Sequence, residues 1–237
     1  MKRLALGNEA VAIGLYEAGV TVISSYPGTP STEITEYAAK YKEIYAEWAP
    51  NEKVAAEVAL GASIAGARSF CAMKHVGLNV AADLVFTASY TGVGGGFVIA
   101  VADDPGMHSS QNEQDTRRLA VAAKIPVLEP VNSQECITFT KLAFELSERF
   151  DTPVILRLTT RVSHSQSIVE IGERTEIKIP ELTKNPSKYV MMPALARKKH
   201  EIVEQRNIDI ALYAADCPFN SVEKGGEIGR ASCRERV

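Results

Sequence analysis

Residues 44–79 read IYAEWAPNEKVAAEVALGASIAGARSFCAMKHVGLN, and the reading of this stretch decides the fold. It opens with a short β-prone run, Ile44 to Trp48. Asn51 has the short polar side chain of a helix N-cap, and the helix it opens is predicted to run to about Gly66. Ala55, Ala56, Ala59, Gly61, Ala62 and Ala65 keep that helix slim enough to pack closely on a neighbour. Ser69 to His75 returns to a buried strand pattern, and Val76 to Tyr90 reads as the next helix. Strand, helix, strand and helix in immediate succession predict parallel strands joined by helical crossovers.

The same alternation extends in both directions. Upstream, Asn8 suits the cap of a helix through Tyr16, with Gly19 just past its end. Val20 to Tyr26 is a strand candidate, and Thr32 to Tyr41 a helix after the turn PGTPS. Downstream, Phe97 to Ala102 is apolar on both sides, as a central parallel strand must be. Val127 to Val131, a helix from Ser133 to Arg149, and Val154 to Leu158 complete the series. The expected fold class is α/β: a doubly wound, mostly parallel sheet with helices on both faces, over residues 1–165.

Beyond it, residues 166–206 are polar and lysine-rich, and are expected to form an extended connecting segment. Ile208 to Tyr213 reads as one more strand, opening a following, truncated domain at 207–229. The terminal RASCRERV, residues 230–237, breaks register with what precedes it and reads as a non-native tail, so Cys233 carries no functional weight.

Bulk properties narrow the function. The 237 residues are 46% hydrophobic and carry a net charge of −3, with no basic run to engage nucleic acid. The longest apolar stretch, Gly94 to Ala102, is too short to span a bilayer. Asn8 and Glu9 interrupt the N-terminus before a signal-peptide core develops, so a cytoplasmic protein is expected. The four cysteines form no CxxC pair, which argues against a metal site, and Cys71 and Cys136 sit in apolar stretches as inert thiols. TGVGGGF, Thr91 to Phe97, lacks dinucleotide-loop spacing and precedes its strand, and no GxxxxGK[ST] occurs.

In a parallel sheet, ligands bind beyond the carboxyl ends of the strands. The loops there are Tyr26–Thr32, Pro50–Lys53, Lys74–Asn79 and Asp103–Asp115. Glu52 falls at a strand-to-helix junction, where an acid also simply complements the helix dipole. In YPGTPST, prolines fix the turn, Gly28 permits close approach, and Thr29, Ser31 and Thr32 offer hydroxyls suited to a carboxylate or phosphate. Lys74 and His75 place a cation and a neutral-pH proton carrier after a buried strand. Asp103 to Asp115 is too rich in acids and amides for a generic turn, although its two leading aspartates match no defined metal spacing.

Taken together, GNEAVAIGLYEAGV, YPGTPSTEI, WAPNEKVAAEVALGAS, MKHVGLNVAAD, VADDPGMHSSQNEQD and CPFNSVEKG resemble the thiamine-diphosphate-dependent 2-oxoacid:ferredoxin oxidoreductases, and within them the subunits acting on indolepyruvate. The resemblance runs from about residue 3 to 228 and implies a pyrimidine-binding domain. In that family a glutamate is followed nine residues later by glycine, a spacing that Glu52 and Gly61 match and Glu57 does not. Glu52 is thereby implied as the catalytic carboxylate, hydrogen-bonded to the cofactor's pyrimidine ring so that the ring can deprotonate the thiazolium carbon. Pro27, Gly28 and Asn79 are implied as further cofactor contacts. Thr29, Lys74, His75, His108, Ser109, Gln111 and Asn112 are implied to line the substrate cavity.

The reaction so implied is oxidative decarboxylation of an arylpyruvate. Coenzyme A takes the acyl group, and iron–sulfur clusters pass electrons to ferredoxin. Pyruvate-acting relatives place an arginine in the loop after the strand that corresponds to Phe97–Ala102. Here that loop reads HSSQNEQ, and Arg117 comes later, which leaves Lys74 and His75 as candidates to hold the substrate carboxylate. No diphosphate- or Mg2+-binding motif and no [4Fe–4S] cysteine cluster is present. The chain is therefore expected to be an N-terminal fragment, inactive alone, completed by the rest of its subunit and by a beta subunit. The alternatives are the same chemistry on pyruvate or another 2-oxoacid, or a non-catalytic module of this fold.

Overall fold

The computed structural model describes residues 2–221. Six parallel strands form the main sheet: β2 (Val22–Ser25), β3 (Tyr45–Trp48), β4 (Ser69–Lys74), β5 (Phe97–Asp103), β6 (Val127–Leu128) and β7 (Val154–Thr159), in the spatial order β3-β2-β4-β5-β7-β6. Side-chain alternation along β4 and β5 divides the core into two layers. Phe70, Ala72, Val98, Ala100 and Ala102 face α1 (Gly7–Glu17), α2 (Thr32–Ala38) and α6 (Ser133–Phe150). Cys71, Met73, Phe97, Ile99 and Val101 face α3 (Glu52–Ile64), α4 (His75–Thr91) and α5 (Thr116–Ala123). Every residue of β5 is buried, which is why that strand reads as a continuous apolar run. The doubly wound α/β expectation therefore holds.

The glycine run before β5 has a packing role. The backbones of Gly94 and Gly95 lie against the carbonyls of Ser63 and Ala67, where an added Cβ would collide. The end of α3 is thus pressed onto the entry to β5.

Several local expectations are corrected. Asn8 is not the cap of α1. Leu6 occupies that position, and Asn8 is buried within the first turn, donating from Nδ2 to the Pro30 carbonyl (2.7 Å) and to Glu33 (2.9 Å). The expected strand Val127–Val131 contracts to two residues, because Pro130 cannot extend the ladder. A second sheet of two antiparallel strands, β1 (Lys2–Leu6) and β8 (Gln166–Glu170), was not foreseen. Between β7 and β8 lies the short helix α7 (Thr160–His164).

The segment expected to be a featureless connector and then a strand contains α8 (Pro186–Tyr189) and α9 (Pro193–Asp216). Ile208–Tyr213 is helical. Its alternating IDIALY is a short apolar run of ambiguous period, overridden by a longer stretch with proline at the first helical position and no breaker afterwards. α9 docks through Arg206, which donates to the carbonyls of Ser89 and Asp151. His200 Nδ1 pairs with the Tyr90 hydroxyl at 2.8 Å. The expected tail at 230–237, Cys233 and the end of the expected domain at 207–229 lie outside the described residues.

Candidate functional site

The sheet changes direction at β2. One crossover leads from β2 outward to β3, and the next returns past β2 to β4, so the carboxyl ends of β2 and β4 flank the switch point of the sheet. The turn 26–32 leaves β2 there, and Lys74 ends β4. The two meet: a Cβ placed on Gly28 would lie 3.5 Å from Cγ and Cδ of Lys74, so the lysine stem crosses the glycine.

The turn uses most of its own polar groups. Ser31 Oγ donates to the Gly28 carbonyl at 2.9 Å, and Thr32 Oγ1 accepts from the Gly28 N–H at 2.9 Å. The Thr29–Pro30 peptide is cis. Of the three expected hydroxyls, only the exposed Thr29 is left without a partner among the described residues.

Glu52 is the first residue of α3, whose cap is Asn51, with Oδ1 accepting from Val54 N–H at 2.9 Å. The Glu52 side chain is half-buried and lies on Gly77, in the first turn of α4. A Cβ at Gly77 would stand 2.5 Å from Glu52 Oε1 and 2.6 Å from its Cγ. No hydrogen bond or ion pair engages the Glu52 carboxylate among the described residues. Glu57 is exposed and sits 4.0 Å from Lys53. Gly61, the spacing partner of Glu52, is exposed, and an added Cβ would meet nothing within 4 Å. The glycine that makes room for the carboxylate is Gly77.

The loop after β5 is pinned at several points. Lys74 Nζ donates to the Ser109 carbonyl at 3.1 Å, and His75 Nε2 lies 3.0 Å from the Asn112 carbonyl. That contact makes Nε2 the protonated nitrogen, since a carbonyl only accepts. His75 is buried, at 1% exposure, and its ring braces the loop. Its Nδ1 has no partner among the described residues. Asn79, expected at the cofactor, donates to Gln114 Oε1 at 2.9 Å, and Gln114 in turn donates to Asn112 Oδ1 at 2.7 Å.

Two buried aspartates anchor the loop ends. Asp103 accepts from Thr116 N–H (3.1 Å), from its hydroxyl (2.5 Å) and from Arg157 Nε (2.7 Å). Asp104 accepts from Ser109 N–H (2.8 Å), Ser110 Oγ (2.8 Å) and Thr160 Oγ1 (2.9 Å). Burial pushes the Asp104 carboxyl up, but the hydrogen bonds from Ser109, Ser110, Thr160 and the His108 N–H outweigh it and hold the group well below the usual carboxylate range. No group of three or more metal-ligating side chains occurs among the described residues.

His108 and Gln111 are exposed on this loop. His108 lines a hollow of about 610 Å3 with Pro105, Thr159, Thr160 and Arg161, beyond β5 and β7. A second, of about 320 Å3, is lined by residues including His75, Asn79, Gln114 and Arg118. A third hollow, of about 480 Å3, lies under α9, among Leu128, Phe139, Leu142, Phe150 and Tyr213. It holds none of the expected site residues. Position at the strand ends and convergence of polar groups favour the loop side as the functional face.

Sequence reasoning missed Gly77, Asp104, Gln114 and Arg161. A glycine in the first turn of a helix was the available signal for Gly77. Asp104 was weighed only as a metal ligand.

Comparison with known proteins shows the family. Residues 13–214 match the family described as "Pyruvate flavodoxin/ferredoxin oxidoreductase, thiamine diP-bdg". The chain is 47% identical to the "Indolepyruvate oxidoreductase subunit IorA" of Archaeoglobus fulgidus, covering 96% of this chain and 38% of that protein. It is 51% identical to the protein of the same name from Pyrococcus horikoshii, covering 94% and 36% respectively. The chain thus spans less than two fifths of the length of these relatives. The solved 2-oxoglutarate:ferredoxin oxidoreductase of Magnetococcus marinus, with 2-oxoglutarate, coenzyme A and succinyl-CoA bound, shares the fold: TM-score 0.68 at 18% identity, over 95% of this chain and 47% of that one.

Proposed function

Because the chain belongs to the pyruvate flavodoxin/ferredoxin oxidoreductase family, in its thiamine-diphosphate-binding part, we propose that it supplies the pyrimidine-binding half of an arylpyruvate:ferredoxin oxidoreductase with Glu52 as the activating carboxylate. One observation carries the reading. Glu52 is a half-buried carboxylate at the functional face, free of any protein partner among the described residues, with a glycine clearing the space beside it. The helix dipole alone would favour an acid there, but it would not call for a glycine of α4 to clear the space beside it.

These residues fit thiamine diphosphate. When bound, the cofactor supplies a nucleophilic carbon that makes loss of CO2 from a 2-oxoacid feasible. Glu52 holds a proton against the pyrimidine ring and exchanges it as the ring's protonation changes. Thr29 offers its hydroxyl to the substrate carbonyl region. Lys74 keeps two N–H donors free after its bond to Ser109, and no carboxylate pairs with it among the described residues, so it is the anchor for the substrate carboxylate. His75 supports that anchor from behind by bracing Asn112.

The closeness of the two relatives named for indolepyruvate favours an aryl 2-oxoacid as substrate. Coenzyme A, ferredoxin, a beta subunit, Mg2+ and [4Fe–4S] clusters belong to the same reading and would be served by parts of the enzyme outside this chain. No helix of the described residues is long and apolar enough to cross a membrane. Free thiols at Cys71, Cys136 and Cys217 suit a reducing cytoplasm.

The test is Glu52→Gln in the complete enzyme, followed by C2–H exchange of the bound cofactor. Exchange at the wild-type rate would defeat the assignment. Ferredoxin reduction with indolepyruvate, phenylpyruvate and pyruvate decides the substrate class.

A further inference from the structure

Ser109 is gripped through both of its main-chain polar groups. Its N–H is donated to Asp104 Oδ2 at 2.8 Å, and its carbonyl accepts from Lys74 Nζ at 3.1 Å. We infer that Asp104 is a positioning residue for the substrate site, setting the place of the Lys74 ammonium through the main chain at Ser109 and Ser110. The inference rests on the reading of Lys74 as the carboxylate anchor and adds to it the device that fixes the anchor.

The geometry supports a lever of this kind. Asp104 is 1% exposed and follows the most buried strand, so it has a rigid base. It forms no ion pair within salt-bridge distance among the described residues. Its donors are all neutral: Ser109 N–H, Ser110 Oγ, Thr160 Oγ1 and the His108 N–H. Asp104's own carbonyl accepts from Met107 N–H at 2.9 Å, which closes the tight turn through Gly106. A lysine has several rotatable bonds and no fixed direction of its own. The Ser109 carbonyl is the polar group seen to hold Lys74 Nζ, and it belongs to the peptide that joins Ser109 to Ser110. Asp104 holds the residue on each side of that peptide, by the N–H of Ser109 and the hydroxyl of Ser110, and so fixes the direction of the carbonyl.

Asparagine fits the same place. Its oxygen can accept from Ser109 N–H and Ser110, while its amide donates to Thr160 Oγ1. That hydroxyl then turns toward the Asp103 carbonyl, already 3.4 Å away. Asp104→Asn therefore preserves the lever, and Asp104→Ala removes it.

The experiment is a double-mutant cycle in the complete enzyme, with indole-3-pyruvate as substrate. KM, kcat and C2–H exchange of the bound cofactor are all measured. Asp104→Ala should raise KM at least tenfold, with kcat and exchange within threefold of wild type, and Asp104→Asn should stay within threefold throughout. Lys74→Ala should raise KM at least tenfold by itself, and adding Asp104→Ala to it should change KM by less than twofold. Multiplying effects of the two alanine variants, or a fall in kcat and exchange in place of a KM rise, would overturn the inference. An unchanged KM in Lys74→Ala would overturn the anchor reading, and the lever with it, while leaving the Glu52 assignment to its own exchange test. Should Asp104→Ala fail to assemble, Thr160→Val takes its place in the cycle. A threefold KM rise that vanishes in the Lys74→Ala background supports the lever, and an equal rise in both backgrounds refutes it.

Discussion

Alanine at position 77 should leave the fold at least as stable and impair cofactor activation. Gly77 lies in the first turn of α4 and is not among the positive-φ residues, so an L side chain is sterically permitted by the backbone. Helix propensity alone favours alanine over glycine by about 1 kcal/mol. The obstacle is Glu52, since the new Cβ would stand 2.5 Å from its Oε1, 2.6 Å from Cγ and 2.8 Å from Cδ. Ordinary contact begins at 3.4 Å, so the carboxylate must retreat by about 0.9 Å (3.4 − 2.5). Glu52 can swing away at its side-chain torsions, and the helix backbone need not move. A displacement of about 1 Å at a reacting group is enough to lower a rate on the order of 100-fold. The assay is C2–H exchange of bound thiamine diphosphate in the complete enzyme, with thermal unfolding alongside. Exchange should fall by roughly 10- to 100-fold, with Tm unchanged or raised by a few degrees. Unchanged exchange would show that the Glu52 carboxylate does not work from its place against Gly77. A lowered Tm would show that the strain goes into the backbone, and the reasoning would fail there.

Three further outcomes follow from the buried groups. Arg157→Ala strands Asp103, which is fully buried and 2.7 Å from the Arg157 Nε, so urea unfolding should show a loss of about 3–5 kcal/mol; a loss under about 1 kcal/mol would mean that the two Thr116 bonds suffice. Burial pushes the Cys71 thiol far up and that of Cys136 up to about 12, so iodoacetamide at pH 8 should leave both unlabelled in the native protein, while mass spectrometry finds both labelled after unfolding. Asp104 has a folded pKa depressed below its unfolded value of about 3.9, so its contribution to stability is complete above that value and is lost as pH falls through the lower folded one; the Tm gap between wild type and Asp104→Asn should narrow from pH 6 to pH 3, and a gap constant across that range would contradict the depressed pKa.

The repeating part of the fold was legible because each strand from β2 to β7 is a short apolar run closed by turn or cap residues. Asn51 does cap α3. What the chain hid was non-local. β1 and β8 pair from far apart in the sequence, and each is a half-exposed edge whose partner no window on the sequence contains. α9 was obscured because its stretch Ile208–Tyr213 imitates a strand, and only the uninterrupted run from Pro193 reveals a helix. At the site, spacing along α3 pointed to Gly61, yet the residue beside the carboxylate comes from α4. A nine-residue step along one helix cannot report a contact between two. For the acidic pair Asp103–Asp104 the sequence could set aside a metal site but could not say what holds the acids, because it shows them without their donors. Thr116, Arg157 and Thr160 arrive from other segments, and Ser109 from further along the same loop.

The pattern of satisfied and unsatisfied groups carries the functional argument further than composition did. Ser31, Thr32, Asn79, Asp103, Asp104 and Gln114 are all engaged with neighbouring protein groups, so they build the frame. Among the described residues that keep capacity are the Glu52 carboxylate, the Thr29 hydroxyl and the spare donors of Lys74. In the proposed decarboxylation they would serve three tasks: sharing a proton, contacting the reacting carbonyl and holding a carboxylate. The frame also holds the loop through main-chain atoms, namely the N–H and carbonyl of Ser109 and the carbonyl of Asn112. Those bonds do not depend on which side chains stand at positions 109, 111 and 112. The side chains proposed to line the substrate can therefore change without breaking these main-chain bonds. A site organised this way separates its chemistry from its substrate range, as a family acting on several 2-oxoacids by one mechanism requires.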